Sequence, residues 1–358
     1  MNSTWGNNIR LSVFGESHGA GIGAVIDGLR PGFKLDTDEI RFHMSRRAPG
    51  KNKYSTPRSE ADEFEILSGI YDGYTTGAPL CCLIRNTNTK SADYSEMKRI
   101  MRPGHSDYPA YVKYKGFNDV RGGGHFSGRL TAPLVFAGSV CRQYLKVAGI
   151  DIYAHILRIA DVCDAEFNTV TPSDYSYLYQ RGFCTLDENA AELMRGRIDS
   201  ARLSQNSVGG SIECLAVGMP AGLGNPIFHS CESVFSSLLY SIPAVKAVEF
   251  GAGCETAEMT GDICNDSYYY DGDTVRCRTN NNGGITGGIT NGMPIHFRIA
   301  VKPTPTISAP QNTVDIESKT DTVITAGGRH DPCIVPRAVV VAESAAAIAC
   351  LELFYSAY

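Results

Sequence analysis

Apolar residues along the chain fall into short strand-like runs and longer helix-like runs. Strands are predicted at residues 11–14, 23–26, 80–84, 211–217, 244–250 and 294–301. Helices are predicted at residues 36–44, 131–148 and 338–353, and Pro133 is expected to interrupt the second of them near its start. These elements do not alternate regularly, which predicts an α+β fold rather than a dinucleotide-binding fold of repeated β-α-β units.

Two stretches lack such periodicity, yet neither divides the chain. Residues 164–195 are polar and predict a less regular excursion, and residues 279–292 are rich in Gly and Asn. No linker rich in Pro and Ser separates one half of the chain from the other. We therefore expect residues 1–358 to form a single large domain with long functional loops.

The composition of the 358-residue chain is that of an ordinary globular protein, with 43% hydrophobic and 20% charged residues. No uninterrupted apolar run reaches the roughly 18 residues that span a bilayer, and the first residues lack the apolar stretch of a secretion signal. We expect a cytoplasmic protein without a membrane partner. The twelve cysteines lack the spacing of a metal site, so we expect no bound metal and no disulfide framework.

Charge is distributed unevenly along the chain. The formal net charge of −5 argues against a nucleic-acid partner. Within this acidic chain, residues 41–58 carry six Lys or Arg and no Asp or Glu. Such a patch suits a small, multiply charged anion, and an ordinary solvated basic loop is the alternative interpretation.

Five segments combine charged or titratable side chains with Gly or Pro, as loops do where they approach a ligand. They are residues 15–19 (GESHG), 45–50 (SRRAPG), 102–107 (RPGHSD), 119–129 (DVRGGGHFSGR) and 327–333 (GGRHDPC), the last followed by Arg337. Arginine offers bidentate donors to phosphate, histidine exchanges a proton near neutral pH, and consecutive glycines present N–H groups to an anion. A hydrogen-bonded loop histidine or a charged surface turn explains any one segment. Together they predict a site for an oxyanion-rich ligand, with histidines for proton transfer.

The same strings, taken in order, resemble those of the chorismate synthase family. GESHG, RRxPG, RPGHxD, RGGG and GRHDP all occur, with Lys302-Pro303-Thr304 and an NxxGGIxGG run that ends at Gly288, so the resemblance covers nearly the whole chain. It implies a β-α-β sandwich, a homotetramer, and elimination of phosphate from 5-enolpyruvylshikimate-3-phosphate to give chorismate. It also implies reduced FMN (FMNH2) without net redox change and NADPH as an indirect reductant. Members of the family either reduce the flavin themselves or rely on an external flavin reductase, and the absence of a large insert favours the second.

The resemblance further implies roles for individual residues. His18 would be the acid near the leaving phosphate, His105 would set the protonation of the reduced flavin, and Asp331 would help to take the ring proton. The substrate-binding residues would be Ser17, Arg46, Arg47, Arg129 and Arg337. Flavin contacts would come from His125, Phe126, Ser127, Pro243, Ala244, Gly287, Lys302, Pro303, Thr304, Pro305, Thr306 and Arg329. Arg47 and Lys53 would be associated with a nicotinamide phosphate (NADP).

Departures from the family pattern concentrate at the expected flavin site. The family commonly has Arg-Ser-Ser where this chain has His125-Phe126-Ser127, and Lys-Pro-Thr-Ser-Ser where residues 302–306 read KPTPT. A third Arg of the basic motif is Ala48 here. Two hypotheses remain: an active lyase, or a flavin- or phosphate-binding homologue without catalysis. A generic phosphatase would need a metal site or an activated nucleophile, and the sequence shows neither.

Overall fold

A computed structural model of the protein describes residues 3–48, 62–87, 98–326 and 331–357. The strands are β1 (Thr4–Trp5), β2 (Arg10–Gly15), β3 (Gly21–Asp27), β4 (Phe64–Ser68), β5 (Ile70–Tyr71), β6 (Tyr74–Thr75), β7 (Leu80–Arg85), β8 (Asp151–Ile159), β9 (Val162–Cys163), β10 (Gly210–Val217), β11 (Val245–Phe250), β12 (Tyr268–Asp271), β13 (Thr274–Cys277), β14 (Ile285–Thr286), β15 (Ile289–Thr290), β16 (Ile295–Val301), β17 (Gln311–Asp315) and β18 (Thr320–Ile324). The α-helices are α1 (Thr37–Arg47), α2 (Asp107–Tyr114), α3 (Thr131–Val147), α4 (Glu188–Leu203), α5 (Cys231–Leu239), α6 (Gly261–Cys264) and α7 (Val335–Ala357).

Two five-stranded sheets form the framework. The first has the strand order β1-β2-β3-β7-β4, and the second has the order β11-β16-β10-β8-β9. The strand pairs within the described residues are antiparallel, and the remaining short strands form two-stranded hairpins. Successive side chains of a strand point to opposite faces, and in β8 of the second sheet both faces are buried.

Two long helices fill the space between the sheets. Helix α3 packs against β3 and β7, α7 packs against β8 and β10, and the two helices pack against each other. They approach closely at Gly138, where an added β-carbon would lie 2.3 Å from the Cβ of Ser344. One continuous cluster of buried apolar side chains joins both sheets through these helices. The predicted sandwich of strands and helices in an α+β fold is thereby confirmed.

The predicted strands and helices are present, with ends that shift by a few residues. Helix α1 begins after Asp36, whose carboxylate accepts hydrogen bonds from the N–H groups of Asp38 and Glu39. The expected interruption at Pro133 is wrong, because this proline lies in the first turn of α3, where a helix needs no N–H donor.

The sequence analysis missed most of the short strands and several longer elements, among them β8, α2, α4 and α5. The expected excursion at residues 164–195 is irregular only in its first part. A 3₁₀ turn at Ser176–Gln180 is followed by the regular helix α4, which begins at Glu188. The irregular segment therefore ends at residue 187, eight residues earlier than the sequence suggested.

Helix α7 is long and apolar enough to cross a bilayer by length and composition alone. Within the protein, however, 89% of its most apolar window is buried against other elements. It is therefore the central core helix of the fold, since a helix that is apolar all round must be covered.

A buried charged network ties the second sheet to residues 164–187. The carboxylate of Glu213 on β10 accepts hydrogen bonds from His155 Nε2 and His296 Nε2, both at 2.8 Å. The other ring nitrogen of His155 lies 2.9 Å from Asp164. Backbone N–H groups of Phe167, Leu186 and Asp187 also donate to these two carboxylates. We call this set the Glu213 network.

Candidate active site

A glycine loop passes between two of the predicted histidines. A β-carbon at Gly122 would lie 2.3 Å from His18 Cε1 and 2.4 Å from His18 Nδ1. At the next residue, Gly123, a β-carbon would lie 3.3 Å from His105 Cε1. Both glycines have positive φ, 59° and 83°, which only glycine adopts without strain. The loop thus brings His18 and His105, which are far apart in sequence, to neighbouring positions.

The loop that carries His18 follows the end of β2 and is fixed by the glycine segment. The Ser17 N–H donates to the Gly124 carbonyl at 3.1 Å, and His125 Nδ1 donates to the Gly15 carbonyl at 2.8 Å. His18 and Ser17 are both buried. Ser17 Oγ has no hydrogen-bond partner among the described residues, so it is available to a ligand.

Asp119, just before the glycine segment, lies close enough to His18 for their charges to interact. The hydrogen bond from Arg121 holds the pKa of Asp119 below its usual value, and the charge of His18 contributes in the same direction. Asp119 therefore stays ionised beside His18.

His105 is held by a carboxylate that the sequence analysis did not single out. Its Nδ1 lies 2.6 Å from Asp107, which also accepts two hydrogen bonds from Arg102, at 2.7 and 2.8 Å. Burial alone would raise the pKa of Asp107, but the hydrogen bonds from Arg102 and His105 hold it well below its usual range. Since a carboxylate can only accept, Nδ1 of His105 carries a proton and Nε2 faces the glycine loop.

The turn at residues 302–306 contacts the His105 loop. Lys302 Nζ donates to the Gly104 carbonyl at 2.5 Å, and Arg102 donates to Thr306 Oγ1 at 3.3 Å. The Lys302 N–H donates to the carbonyl of Ala244, which follows Pro243 and has a positive φ of 75°. These predicted flavin residues are therefore brought together beside His105.

Residues 125–127 complete this side of the site. The Phe126 ring is 39% exposed and lies 6.1 Å from the ring of Tyr114. Ser127 Oγ accepts a hydrogen bond from the Arg129 N–H and caps the turn that leads into α3. All three residues belong to the segment that carries Gly122 and Gly123.

Asp62 organises two of the predicted arginines. Its carboxylate, fully buried, accepts hydrogen bonds from Arg47 Nε and Nη2 at 2.8 and 2.6 Å, and from Arg129 Nη1 at 3.0 Å. Arg129 Nε also donates to Asn86 Oδ1, and the Asn86 amide donates to the carbonyls of Glu16 and Gly19 in the His18 loop. We call Asp62, Arg47 and Arg129 the Asp62 cluster.

Asp331 reaches the Asp62 cluster through Arg337. Arg337 donates from Nη1 to Asp331 at 2.8 Å and from Nε to the Arg47 carbonyl at 3.2 Å. Burial lowers the pKa of Arg337, and the charge of Asp331 opposes that effect. Three of the predicted substrate-binding arginines thus lie together with the predicted catalytic aspartate.

Other predicted residues lie elsewhere. Arg46 forms a bidentate ion pair with Glu343 on α7, at 2.5 and 2.8 Å, away from the Asp62 cluster. Gly287 lies in the turn between β14 and β15, and that hairpin contacts residues 223–231. Lys53 and Arg329 lie outside the described residues.

Asp62, Asn86 and Asp107 were missed by the sequence analysis. Asp107 stands inside the RPGHSD string, two residues after His105, so its position was a usable signal. Asp62 and Asn86 carry no local signal, because their partners come from distant parts of the chain. As a whole, the arrangement places proton-transfer groups beside an excess of guanidinium donors, which suits chemistry on an oxyanion.

Comparison with known proteins identifies the family. The sequence model of the family described as chorismate synthase matches residues 9–355. A chorismate synthase of Dehalococcoides mccartyi is 41% identical over 99% of this chain and 96% of its own length. That of Pyrococcus abyssi is 47% identical over 94% of this chain and 93% of its own length.

A solved structure agrees with these sequence matches. A crystal structure titled as chorismate synthase superposes with a TM-score of 0.77 at 27% identity, over 99% of this chain and 93% of the other. Matches of this extent cover both sheets and every segment of the candidate site. The chain belongs to the chorismate synthase family.

Proposed function

We propose that this protein is a lyase that eliminates phosphate from 5-enolpyruvylshikimate-3-phosphate to give chorismate, the last common step of the shikimate pathway to the aromatic amino acids. Reduced flavin, as FMN, is required without net redox change. The observation that carries the proposal is the glycine loop, which brings His18 and His105 together near buried arginines. Full-length matches to chorismate synthases support the same reaction.

The substrate anions would be bound by Arg47, Arg129 and Arg337, with Ser17 as a further donor. Among the described residues, these three guanidiniums are opposed by two carboxylates, Asp62 and Asp331. The set therefore keeps an excess positive charge, which phosphate and carboxylate groups would neutralise. Arg46 was included in the expected substrate set, but its bidentate partner Glu343 gives it the separate task of joining α1 to α7.

His18 would be the acid near the departing phosphate. It lies beside Gly122 and Ser17, within range of the ionised carboxylate of Asp119. A protonated histidine at this place stabilises the negative charge that develops as the C–O bond breaks.

Asp331 would help to take the ring proton. Its carboxylate is oriented by Arg337, which is in turn fixed to the Arg47 carbonyl. An aspartate held in this way has one direction of approach to the substrate.

The residues around His105 fit a flavin phosphate and ring. Thr304 Oγ1 is buried without a hydrogen-bond partner among the described residues, and Lys302 supplies a cation on the same turn. His125, Phe126, Ser127, Pro243, Ala244, Pro303, Pro305 and Thr306 would line this site, and His105 would set the protonation of the flavin. Gly287 and Arg329 complete the proposed set. Reduced FMN, when bound, would lend electron density to the breaking C–O bond.

Further parts of the proposal concern the cellular setting. NADPH would act as an indirect reductant through an external flavin reductase, with Arg47 and Lys53 associated with the nicotinamide phosphate. The protein would work in the cytoplasm as a homotetramer. Residues 1–358 would form one domain, which the continuous apolar cluster through both sheets supports.

Anaerobic assays with 5-enolpyruvylshikimate-3-phosphate test the reaction. We expect release of phosphate and chorismate with reduced FMN, and none with oxidised FMN. Folded protein that binds FMN and substrate without turnover would instead be a binding homologue. A failure to release phosphate under reducing conditions would refute the proposed reaction.

A further inference from the structure

A second cavity lies beside the candidate active site and is not explained by the proposed reaction. Its volume is about 430 Å³, and its walls come from α1, α4, α7 and residues 179–184. This volume falls within the range of small-molecule sites, which is roughly 300–1,000 Å³. His18, His105, Arg47, Arg129 and Asp331 do not line it.

Among the described residues, four arginines and no carboxylate line this cavity. They are Arg46, Arg181, Arg195 and Arg337. Three of them pair with carboxylates that do not line the cavity. Arg46 pairs with Glu343, Arg195 with Glu188 and Arg337 with Asp331.

The positive charges around the cavity outnumber these acidic partners. Arg142 shares Glu343 with Arg46, and Arg181 donates to the carbonyl of Thr185 rather than to a carboxylate. Five guanidiniums therefore face three carboxylates among the described residues, and the balance is positive. These positive charges also act on His43. Its pKa is lowered to about 2 by burial and by the charges of Arg142, Arg46 and Lys146.

Much of the remaining wall is apolar and includes aromatic rings, although Ser45 and Gln180 also line it. Phe42, Phe183, Val339 and Val340 line the cavity with Tyr179. The guanidinium of Arg195 lies 4.9 Å from the centre of the Phe183 ring, and that of Arg46 lies 5.2 Å from the Tyr179 ring. The cationic groups and the ring faces are therefore held in one wall.

We propose that this cavity binds a small organic acid that combines a carboxylate with an unsaturated ring. Guanidiniums match the planar carboxylate, and the aromatic and valine side chains match the ring. An inorganic anion would leave the apolar wall in contact with water, so the ring carries part of the binding energy. The site goes beyond the proposed reaction: of the described residues proposed to act in that reaction, Arg337 alone lines the cavity, and the aromatic wall of Phe42, Tyr179 and Phe183 has no role in it.

Two arginines on α4 provide a matched test. Arg195 lines the cavity and pairs with Glu188, whereas Arg197 pairs with Asp161 on the outer surface at 2.6 and 2.8 Å. Arg195→Gln and Arg197→Gln remove the same charge from the same helix. Titration of the whole protein with 4-hydroxybenzoate, by calorimetry or ligand-observed NMR, then reports on the cavity alone.

We expect one 4-hydroxybenzoate per chain, with a Kd about tenfold weaker in Arg195→Gln and unchanged in Arg197→Gln, as loss of one charge-assisted hydrogen bond requires. Arg195→Lys keeps the charge and should bind more tightly than Arg195→Gln. Equal affinity in wild type and Arg195→Gln would overturn the proposal, as would absence of binding.

Two further arms separate other sources of binding. Arg129→Gln alters the candidate active site and should leave the Kd of 4-hydroxybenzoate unchanged, whereas a loss there would place the probe in the substrate site and refute the cavity. Inorganic phosphate should bind more weakly than 4-hydroxybenzoate. Equal affinity for phosphate and 4-hydroxybenzoate would show that the ring contributes nothing to the binding energy, and it would refute the proposed ligand class. None of these outcomes depends on turnover.

Discussion

The Asp62 cluster and the Glu213 network are both buried and charged, yet they differ in the ratio of cationic groups to carboxylates. Asp62 faces two arginines and lies next to the Asp331–Arg337 pair, so among the described residues three guanidiniums stand against two carboxylates. In the Glu213 network, Glu213 and Asp164 enclose His155, whose ring is fully buried between them. The network satisfies its own groups, whereas the cluster joins guanidiniums from distant parts of the chain beside the His18 loop.

We infer from this difference that the Asp62 cluster serves substrate binding, whereas the Glu213 network stabilises the fold. A buried charge is tolerated when its partners are complete, and it becomes a binding site when the partners are supplied by a ligand. The network holds residues 164–187 to the second sheet through three backbone N–H groups. The cluster holds arginines beside the His18 loop through Asn86.

The largest effect is expected from matched changes of one aspartate in each region. Asp331→Ala should lower kcat by about 10²–10⁴-fold, as loss of a proton-transfer group does, with folding intact. Asp164→Ala should lower the melting temperature and leave kcat of the folded protein close to wild type. Anaerobic phosphate release and thermal unfolding measure both. Wild-type kcat in Asp331→Ala would remove its assigned role.

Next in size is the effect of a methyl group in the glycine loop. Gly122→Ala places a β-carbon against His18 at positive φ, so we expect kcat to fall about 100-fold through misplacement of that ring. Gly128→Ala is the control, because no atom lies within 4 Å of the added carbon and φ is not positive. Equal kcat in the two variants would show that the loop does not position His18.

A third pair neutralises the central carboxylate of each region. Asp62→Asn and Glu213→Gln should each lower the free energy of unfolding by about 3–5 kcal/mol, since each leaves buried charges without their partner. Only Asp62→Asn should also raise KM for the substrate, because Arg47 and Arg129 lose their orientation. Denaturant titration and steady-state kinetics separate the two effects. If KM rose in Glu213→Gln and not in Asp62→Asn, the assignment of substrate binding to the Asp62 cluster would be contradicted.

The smallest effect is the pH dependence of the network. Burial alone would lower the pKa of His155, but its hydrogen bonds to Asp164 and Glu213 raise it, and those from His155 and His296 hold the pKa of Glu213 well below its usual range. The His155 contribution is therefore present below its unfolded pKa, about 6.5, and is lost as pH rises through the raised folded pKa. The Glu213 contribution is present above about pH 4.3 and is lost as pH falls.

Denaturant titrations of wild type and His155→Gln across this range check the sign. The difference in unfolding free energy between them should be larger near pH 5.5 than near pH 9. A difference that grows with rising pH would contradict a charged His155.

Much of the fold was readable where the pattern was regular. The alternation in β16 and the capped start of α1 gave their positions directly. Strand β8 was missed because both of its faces are buried, so its side chains do not alternate between apolar and polar. Helix α4 did carry a signal, since Ala190, Met194, Ile198 and Ala201 recur at helical spacing behind the capping Asp187.

The candidate site was predicted in its parts rather than in its assembly. Gly, His and Arg in short strings marked the loops, because those residue types are rarely combined without a ligand. The meeting of Arg47 with Arg129 depends on Asp62, which nothing local distinguishes from a surface aspartate. The pairing of Arg46 with Glu343 was missed for the same reason, because the two residues are 297 positions apart in the sequence.

The most direct test of the account is phosphate release from 5-enolpyruvylshikimate-3-phosphate by wild type and His18→Ala, with reduced FMN under anaerobic conditions. We predict turnover in the wild type and a loss of several orders of magnitude in His18→Ala, with both proteins equally folded. No release by the wild type, or equal release by His18→Ala, would contradict it.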